Sequence, residues 1–569
     1  MKEKPVFFVT GAAGFVGRHL CKLLVESGFD VRAVVRRDDR ELSDLGVAIW
    51  LGDLHDDSIL HDAIAGSSVI VHCAGDARFG NGTHYYEANA KLTDLLIRAT
   101  KLFAAAESRF VYISTIGAID RVTTDSCHEP LTEDSEAHPT SDYGRSKLQA
   151  EGIVKRSGLP YSIIRPTMVV GADMRSDSHF AVFARKALTA SLIARISWPG
   201  QFSVIHVDDL ANAILVVATN SDAVGKTYFC AGDTISISDF FEHCSPNKLR
   251  IPLSLVTRFA TPLRRWLPFS LKAMLYPALT ASDAKLRALG WKPHFSSNSA
   301  LDEVIRRERF QLDPNYSAGG LTVITGAASG LGRALANYLS PRRDNLLLLD
   351  KDGDGLAMLA STLGNCRIRV VDLSLDGDID ELLHSPEWTS YPIDELYACA
   401  GIGLRGRIQD ISVASHRKMF AVNVLARVAL AKSAIDGMRK RHFGRVVLIS
   451  SSSAFQPLPF MATYAATNSA LLSIGESWAL EVANDNILVM TVCPGGMQTN
   501  FQKRGGVKEI EGEKLMTPEA VVSEIMKGLR HRKIILYVSF RSLLMSMLAR
   551  LLPRALSARL WYKLMERMR

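Results

Sequence analysis

Two glycine-rich turns lie about 315 residues apart in this chain, and each opens its own later series of motifs. The first reads Thr10-Gly11-Ala12-Ala13-Gly14-Phe15-Val16-Gly17 and the second Thr325-Gly326-Ala327-Ala328-Ser329-Gly330-Leu331-Gly332. Each follows a short apolar run, Val6 to Val9 or Leu321 to Ile324, and leads into a helix-like stretch. A strand, a glycine turn and a helix in that order bring backbone close to a pyrophosphate and aim the free N–H groups of the helix start at the anion. One such turn is a weak signal. Two of them, each with its own continuation, predict two dinucleotide-binding units joined end to end, with Gly11, Gly14, Gly17 and Gly326, Gly330, Gly332 at the phosphates.

Both halves alternate strand-like and longer helix-like runs, the pattern of a parallel sheet covered on both faces. The first half offers strands at Val6–Val9, Val31–Val35, Val47–Trp50, Val69–His72 and Phe110–Ser114, with Ser162–Arg165 and Tyr228–Ala231 continuing the sheet or a substrate-binding extension. The second offers Leu321–Ile324, Asn345–Leu349, Ile368–Val371, Glu395–Ala398, Arg445–Ser450 and Leu488–Val492. The expected fold is α/β: two tandem Rossmann-like, doubly wound parallel sheets, the first with a small C-terminal substrate lobe. A Pro/Gly/Ser-containing stretch supplies a linker at 313–320, between a domain at 1–312 and one at 321–569 that ends in a basic amphipathic tail, 534–569.

Eight scattered cysteines form no C-x-x-C pair and have no histidine at zinc spacing, so neither a disulfide frame nor a metal site is expected. Met1-Lys-Glu-Lys-Pro5 runs straight into the first strand, which leads us to expect no signal peptide and a cytoplasmic protein, peripheral at the inner face of the membrane if it touches one. The net charge of +8 is concentrated in two segments of +6 each, 243–282 and 534–569. Their basic residues alternate with Leu, Phe, Trp, Met and Pro. A nucleic-acid surface would instead show basic stripes with exposed stacking aromatics, so no nucleic-acid partner is expected. The longest uncharged run of the tail, Ser542 to Ala549, is too short to span a bilayer. Two readings stay open: an interfacial, membrane-touching surface, or a basic rim on an ordinary apolar lid.

In Tyr143-Gly-Arg-Ser-Lys147, the tyrosine and lysine share one helix face at i, i+4 spacing. A phenol ordinarily titrates near pH ~10, and an ammonium one turn away stabilises the phenolate. Ser114 and Thr115 end a strand with two hydroxyls able to hold a carbonyl or an alcohol. These parts make a hydride-transfer site in which Tyr143 moves the proton and a nicotinamide moves the hydride. Here the chain resembles the extended subtype of the short-chain dehydrogenase/reductase superfamily. The resemblance spans residues 5–310: the glycine loop, Gly52-Asp53-Leu54, His72-Cys-Ala-Gly75, Ser114-Thr115, the Tyr-x-x-x-Lys pair, Arg165-Pro166 and Val207-Asp-Asp-Leu210. It implies a catalytic Thr115, where serine is commoner, and an adenine contact from Asp53. Arg36, just after the second strand, resembles NADP-binding members because it can pair with a 2′-phosphate, which favours NADP(H) over NAD(H).

Residues 319–569 resemble the shorter, single-domain subtype. Asp350 closes the second strand, where a carboxylate accepts from ribose hydroxyls and repels a 2′-phosphate, which favours NAD(H). The resemblance implies an adenine contact from Asp372, catalytic roles for Asn423, Ser451 and Tyr464, and a nicotinamide contact from Thr499. One part departs: Tyr464-Ala-Ala-Thr-Asn468 puts a neutral amide where the lysine belongs. Asn468 cannot supply the positive charge that acidifies the phenol. Slowed reduction, altered chemistry, or a nucleotide-binding module without turnover all remain open.

The acid-free stretch 243–282 falls where the extended subtype builds its substrate lobe. An apolar lobe suits a lipid-like small molecule better than a nucleotide sugar, whose hydroxyls and phosphates need buried polar partners. The first half looks closer to 3β-hydroxysteroid dehydrogenases than to sugar epimerases. The pairing of subtypes suggests oxidation of a 3β-hydroxysteroid-4-carboxylate, loss of CO₂, and reduction of the resulting ketone. A nucleotide-sugar epimerase, dehydratase or reductase is the alternative, and a non-reacting dinucleotide sensor a third reading. The superfamily often forms homodimers through helix bundles, a need the two halves could also meet within one chain.

Overall fold

The computed structural model describes residues 5–77, 82, 84–120, 129–171, 173–174, 178–189, 195–244, 251–252, 279–499, 515–551 and 553–567. The chain divides into two compact units, Met1–Ile305 and Arg306–Arg569.

In the first unit the strands are β1 (Val6–Thr10), β2 (Asp30–Val35), β3 (Ala48–Leu51), β4 (Val69–His72), β5 (Arg109–Ile113), β6 (Tyr161–Pro166), β7 (Met168–Val170), β8 (Ile196–Ser197), β9 (Gln201–His206), β10 (Lys226–Cys230), β11 (Thr234–Ser236) and β12 (Ile251–Pro252). Seven of them form one sheet in the order β10-β6-β5-β4-β1-β2-β3, every pairing parallel. The central strands read as nearly continuous apolar runs because they are buried on both faces: Phe7, Phe8 and Val9 are all fully buried. One face is covered by the helices Phe15–Glu26 and Val207–Thr219, the other by Asp57–Ile64, Leu92–Phe103 and Asp142–Lys155. Strand order reverses between β1 and β4, and a ligand crevice opens at the carboxyl ends of strands at such a switch point.

Ser162–Arg165 falls in β6 and Tyr228–Cys230 in β10, both strands of this main sheet rather than of an extension. The lobe is built from β7, β9 and β11, with β8 paired to β12. Its core is aromatic, with Phe180, Phe202, Phe240 and Phe241 buried and Phe183 stacked on Phe240 at 5.0 Å. Of the acid-free stretch, 245–250 and 253–278 lie outside the described residues.

The second unit contains β13 (Leu321–Thr325), β14 (Leu346–Asp350), β15 (Arg367–Val370), β16 (Ile393–Ala398), β17 (Gly444–Ile449), β18 (Ile487–Cys493) and β19 (Ile535–Tyr537). They form one parallel sheet, order β15-β14-β13-β16-β17-β18-β19. The tail therefore begins with an edge strand of the sheet. Only then do the helices Phe540–Leu551 and Arg554–Arg567 follow.

Residues 313–320 do not hang free of the second unit. The carbonyls of Asp313, Pro314 and Asn315 accept from Arg445 Nη2 (3.0 Å), Arg343 Nη2 (2.7 Å) and Arg343 Nη1 (3.0 Å). Both arginines converge on Glu395, which is fully buried in β16. A Pro/Gly/Ser composition predicts a loose connector; the long reach of two buried guanidiniums makes it part of the fold.

Candidate active sites

The helices after the two glycine turns, Phe15–Glu26 and Gly330–Leu339, begin at Gly14 and Ser329 with no side chain capping them. Their first N–H groups are left to an anion. Gly11 and Gly326 hold φ of +70° and +68°. A Cβ on either would lie 2.8 or 2.9 Å from the backbone N of Ala74 or Ala400. A Cβ on Gly17 or Gly332 would stand 2.1 or 2.2 Å from the carbonyl oxygen of Gly11 or Gly326. Only glycine permits these close turns, and both cradles fit a dinucleotide pyrophosphate. Thr10 and Thr325 tie the next turn down, their Oγ1 atoms accepting from Ala74 N at 3.2 Å and Ala400 N at 2.9 Å.

Arg36 is exposed just beyond β2. The Asp53 carboxyl is lowered mainly by His55, which donates to it at 2.6 Å from its ring and 2.9 Å from its backbone N–H, with the Arg36 charge a smaller contribution. Arg18 is differently placed. Asp39 and Glu41 hold it at 2.8 Å each. In the second unit Asp350 Oδ2 accepts from Ala328 N of the glycine loop at 3.0 Å. Asp372, held by Ser374 and 3.9 Å from Lys418, lies below the usual carboxylate range. Thr499 stands 3.3 Å from where a Cβ on Gly330 would be, closing the other side of the loop.

The first site brings Thr115, Tyr143 and Lys147 together. Thr115 Oγ1 caps a short 3₁₀ turn and hydrogen-bonds the Tyr143 hydroxyl. Lys147 Nζ donates to Ile113 O at 2.9 Å and lies 4.9 Å from the Tyr112 ring. Ser114 points elsewhere. Its hydroxyl donates to buried Glu151 at 2.6 Å, which is paired with Arg165 at 2.7 Å. Adjacent strand residues face opposite ways, so only one of the two hydroxyls reaches the cleft. In the polypeptide by itself, burial pushes the Tyr143 phenol up to about 12 and pulls the Lys147 ammonium down to about 8. The helix spacing delivers the pair, but burial dominates the phenol, and the group that acts against its rise is the Thr115 hydroxyl rather than the lysine.

A residue that sequence reasoning passes over joins them. Asn89 sits in a π-helical turn, Tyr86–Lys91, whose extra residue re-aims a side chain. Its Oδ1 accepts from Asp76 N at 3.1 Å, and its Nδ2 donates to Ser146 Oγ at 3.0 Å. Asn423 repeats this within the π-helical turn Ala421–Ala426, with Ile402 N at 2.9 Å and Thr467 Oγ1 at 3.2 Å. The only sequence signal for Asn89 was its order in the chain, between the Gly75 turn and the hydroxyl-bearing strand.

The second site gathers Asn423, Ser451 and Tyr464 around a cavity of about 620 Å³. Ser451 caps a 3₁₀ turn and hydrogen-bonds Tyr464, as Thr115 does Tyr143. Asp350 and Asp372 line the cavity's wall, and so do Leu404, Leu458, Trp561 and Met565. Trp561 and Met565 come from the tail helix, which Arg405 pins by donating to Met565 O at 2.9 Å. Asn468 Nδ2 donates to the Tyr464 carbonyl at 2.8 Å.

Comparison with known families separates the two halves as the geometry does. The NAD dependent epimerase/dehydratase family matches residues 7–231, and the short chain dehydrogenase family matches 321–509. The chain is a tandem short-chain dehydrogenase/reductase. Its extended-type unit comes first and its single-domain type second, and this tandem short-chain dehydrogenase/reductase is an NAD(P)-dependent oxidoreductase. Dehydrogenase/reductase SDR family member 7B of Xenopus tropicalis is 29% identical over 240 residues, 38% of this chain and 76% of that protein. The 3-ketodihydrosphingosine reductase of Bos taurus is 26% identical over 225 residues, 37% of this chain and 68% of its own length. Among solved structures, UDP-glucose 4-epimerase of Thermotoga maritima is 18% identical, covering 54% of the tandem chain and 100% of its own, with a TM-score of 0.43. A short-chain dehydrogenase from Sphingobium yanoikuyae in complex with NADPH is 23% identical over 38% of this chain and 86% of its own, with a TM-score of 0.36.

Proposed function

We propose that this chain interconverts an alcohol and a ketone on an apolar, lipid-like substrate at a membrane surface, the first unit using NADP(H) and the second NAD(H). The observation that carries the reading is the wall of the second cavity, where Trp561 and Met565 come from a helix that also exposes Leu556, Leu560 and Leu564 beside Arg554, Arg559 and Lys563. A basic amphipathic helix of this kind lies in a bilayer interface. Here it would set the substrate end of the site beside the lipid phase. Among the described residues no helix is long and apolar enough to cross a membrane. The likeness to a 3-ketodihydrosphingosine reductase supports a lipid ketone. The sterol 4-carboxylate sequence remains the sharpest form of the hypothesis, with a cytoplasmic location.

Bound nicotinamide supplies or accepts the hydride. In the first unit Tyr143 holds the proton at its hydroxyl, Thr115 orients the substrate oxygen, and Lys147 holds charge beneath the pair. Asn89 fixes the turn after Gly75. In the second unit Ser451, Tyr464 and Asn423 take the corresponding places. Comparing lipid extracts of cells with and without the protein tests the substrate class. Accumulation of a lipid alcohol, ketone or carboxylate on deletion is expected, whereas a changed nucleotide-sugar pool with lipids unaltered would favour the epimerase reading.

Two further results are expected. Arg36→Glu should weaken NADPH binding about tenfold to a hundredfold and leave NADH binding nearly unchanged, since a charge-assisted pair to phosphate is lost. Equal loss for both dinucleotides in fluorescence titrations would show that Arg36 does not meet the 2′-phosphate. The triple exchange Arg554→Glu, Arg559→Glu, Lys563→Glu should reduce sedimentation with anionic vesicles severalfold without affecting neutral ones. Unchanged sedimentation with anionic vesicles would remove the tail from any membrane role.

A further inference from the structure

We propose that Arg427 replaces the missing lysine of the second site: its guanidinium, brought by a neighbouring helix, stands where the Lys147 ammonium stands in the first site and serves as the positioning cation for Tyr464. The inference rests on reading the second unit as a hydride-transfer site.

The two sites correspond part by part. Ile113-Ser114-Thr115 ends β5 and Ile449-Ser450-Ser451 ends β17. Cys73-Ala74-Gly75 follows β4 and Cys399-Ala400-Gly401 follows β16. Lys147 Nζ donates to Ile113 O at 2.9 Å; Arg427 Nη1 donates to Ile449 O, the equivalent carbonyl, at 2.5 Å. A Cβ on Gly75 would lie 3.4 Å from Lys147 Nζ, and a Cβ on Gly401 would lie 2.5 Å from Arg427 Nη2. Each cation thus bridges the same carbonyl and the same glycine turn. Arg427 binds the turn further, donating from Nε to Ala400 O at 2.8 Å and from Nη2 to the same oxygen.

The routes differ. Lys147 lies one helical turn after Tyr143, whereas Arg427 lies one turn after Asn423, at the position that Thr93 holds after Asn89. Asn468 then needs no charge and bonds the Tyr464 carbonyl. Arg427 is 4% exposed, has no carboxylate among its hydrogen-bond partners in the described residues, and keeps its proton at neutral pH, although burial draws it down to about 10. Burial raises the Tyr464 phenol, and Ser451, the Arg427 charge and Asn468 act against that rise. The neighbouring Cys399 thiol is pushed up to about 12 by burial and stays neutral, so it does not cancel the arginine.

During reduction the carbonyl carbon takes the hydride and its oxygen takes the Tyr464 proton. A nearby guanidinium favours the phenolate left behind, which solvent then reprotonates. Placing the cation on the asparagine helix leaves its distance to the phenol subject to different packing from a Tyr-x-x-x-Lys pair, but the sign of the effect is the same.

The test uses the full chain carrying Tyr143→Phe to silence the first site. Difluorotyrosine at position 464 reports the phenol's titration by fluorine NMR, and a long-chain methyl ketone in micelles with NADH reports turnover across pH. Arg427→Met should make the phenol at least about tenfold less acidic and shift the basic limb of the turnover profile upward. Arg427→Lys should move both readouts less. The exchange Arg427→Thr with Asn468→Lys, which recreates the first-site arrangement, should restore both. If Arg427→Met fails to fold, the double exchange still decides: an acidity near wild type supports the proposal, and one that stays tenfold lower overturns it. An unshifted titration in a folded Arg427→Met protein also overturns it, whether or not the ketone turns over. A shifted titration with no turnover in any variant upholds the relocated cation and defeats the reading of the second unit as a working reductase.

Discussion

Tyr143→Phe should lower hydride transfer in the first unit by roughly a thousandfold while leaving its fold and dinucleotide affinity unchanged, in the range seen when a positioned proton donor is removed. The ring keeps its edge contact with Tyr85 at 5.9 Å, so packing survives. What is lost is a single hydroxyl, bonded to Thr115 on a half-buried ring. Measured in a Tyr464→Phe background by single-turnover reduction, with nucleotide binding followed separately, the effect should fall on the chemical step alone. A comparable loss in dinucleotide affinity would mean that Tyr143 holds the cofactor rather than the proton. A rate within a fewfold of wild type would remove the phenol from the chemistry altogether. Lys147, drawn down to about 8, should add a pH dependence of its own. The ammonium is fully present below that value and is lost above it, so binding that depends on its charge should weaken through mildly alkaline pH.

The second large effect concerns stability. Glu395→Gln should destabilise the second unit by about 3 kcal/mol or more, because it leaves two buried guanidiniums without their counter-charge. Glu395 accepts from Arg343 Nε at 2.7 Å, Arg445 Nη1 at 2.6 Å and Thr322 Oγ1 at 3.1 Å, and all three residues are buried. The arginines hold its carboxyl below the ordinary value despite the burial that opposes them. A carboxyl lowered in the folded state stabilises fully above its unfolded value, near pH ~4.3, and loses that contribution as pH falls through the folded one. Wild type and Glu395→Gln should therefore differ most near neutrality and converge in acid. Denaturant melts with hydrogen exchange at the β13 and β16 amides measure both. Exchange at 313–320 should quicken as well, since the same arginines hold that segment's carbonyls. A variant as stable as wild type near neutrality would show that the cluster contributes nothing net.

The parallel sheets were legible in the sequence because strands buried on both faces leave uninterrupted apolar runs such as Leu346-Leu-Leu-Leu. The glycine turns were legible because no other residue fits them. The second site was read less well for a physical reason. A search for a cation one helical turn after Tyr464 looks along a single helix and finds Asn468. Arg427 arrives from another helix, 37 residues earlier, and only the tertiary fold places it at Ile449. By residue type alone Ser114 and Thr115 looked equivalent, because the strand's facing could not be assigned at its end; only the family resemblance singled out Thr115. Residues 313–320 looked like a connector because composition does not reveal the reach of Arg343 and Arg445. The tail looked uniformly amphipathic because a three-residue strand, Ile535–Tyr537, is too short to stand out beside the helices that follow.

Trimming is where the tail helix has its practical consequence. A shortened version stopping before Arg554 would retain Asp350 and the glycine loop, and would pass any assay of nucleotide uptake. It would also lack Trp561 and Met565 and leave one end of the cavity open to water. Such a truncate would report a promiscuous or inert protein, and the fault would lie in the cloning boundary rather than in the enzyme.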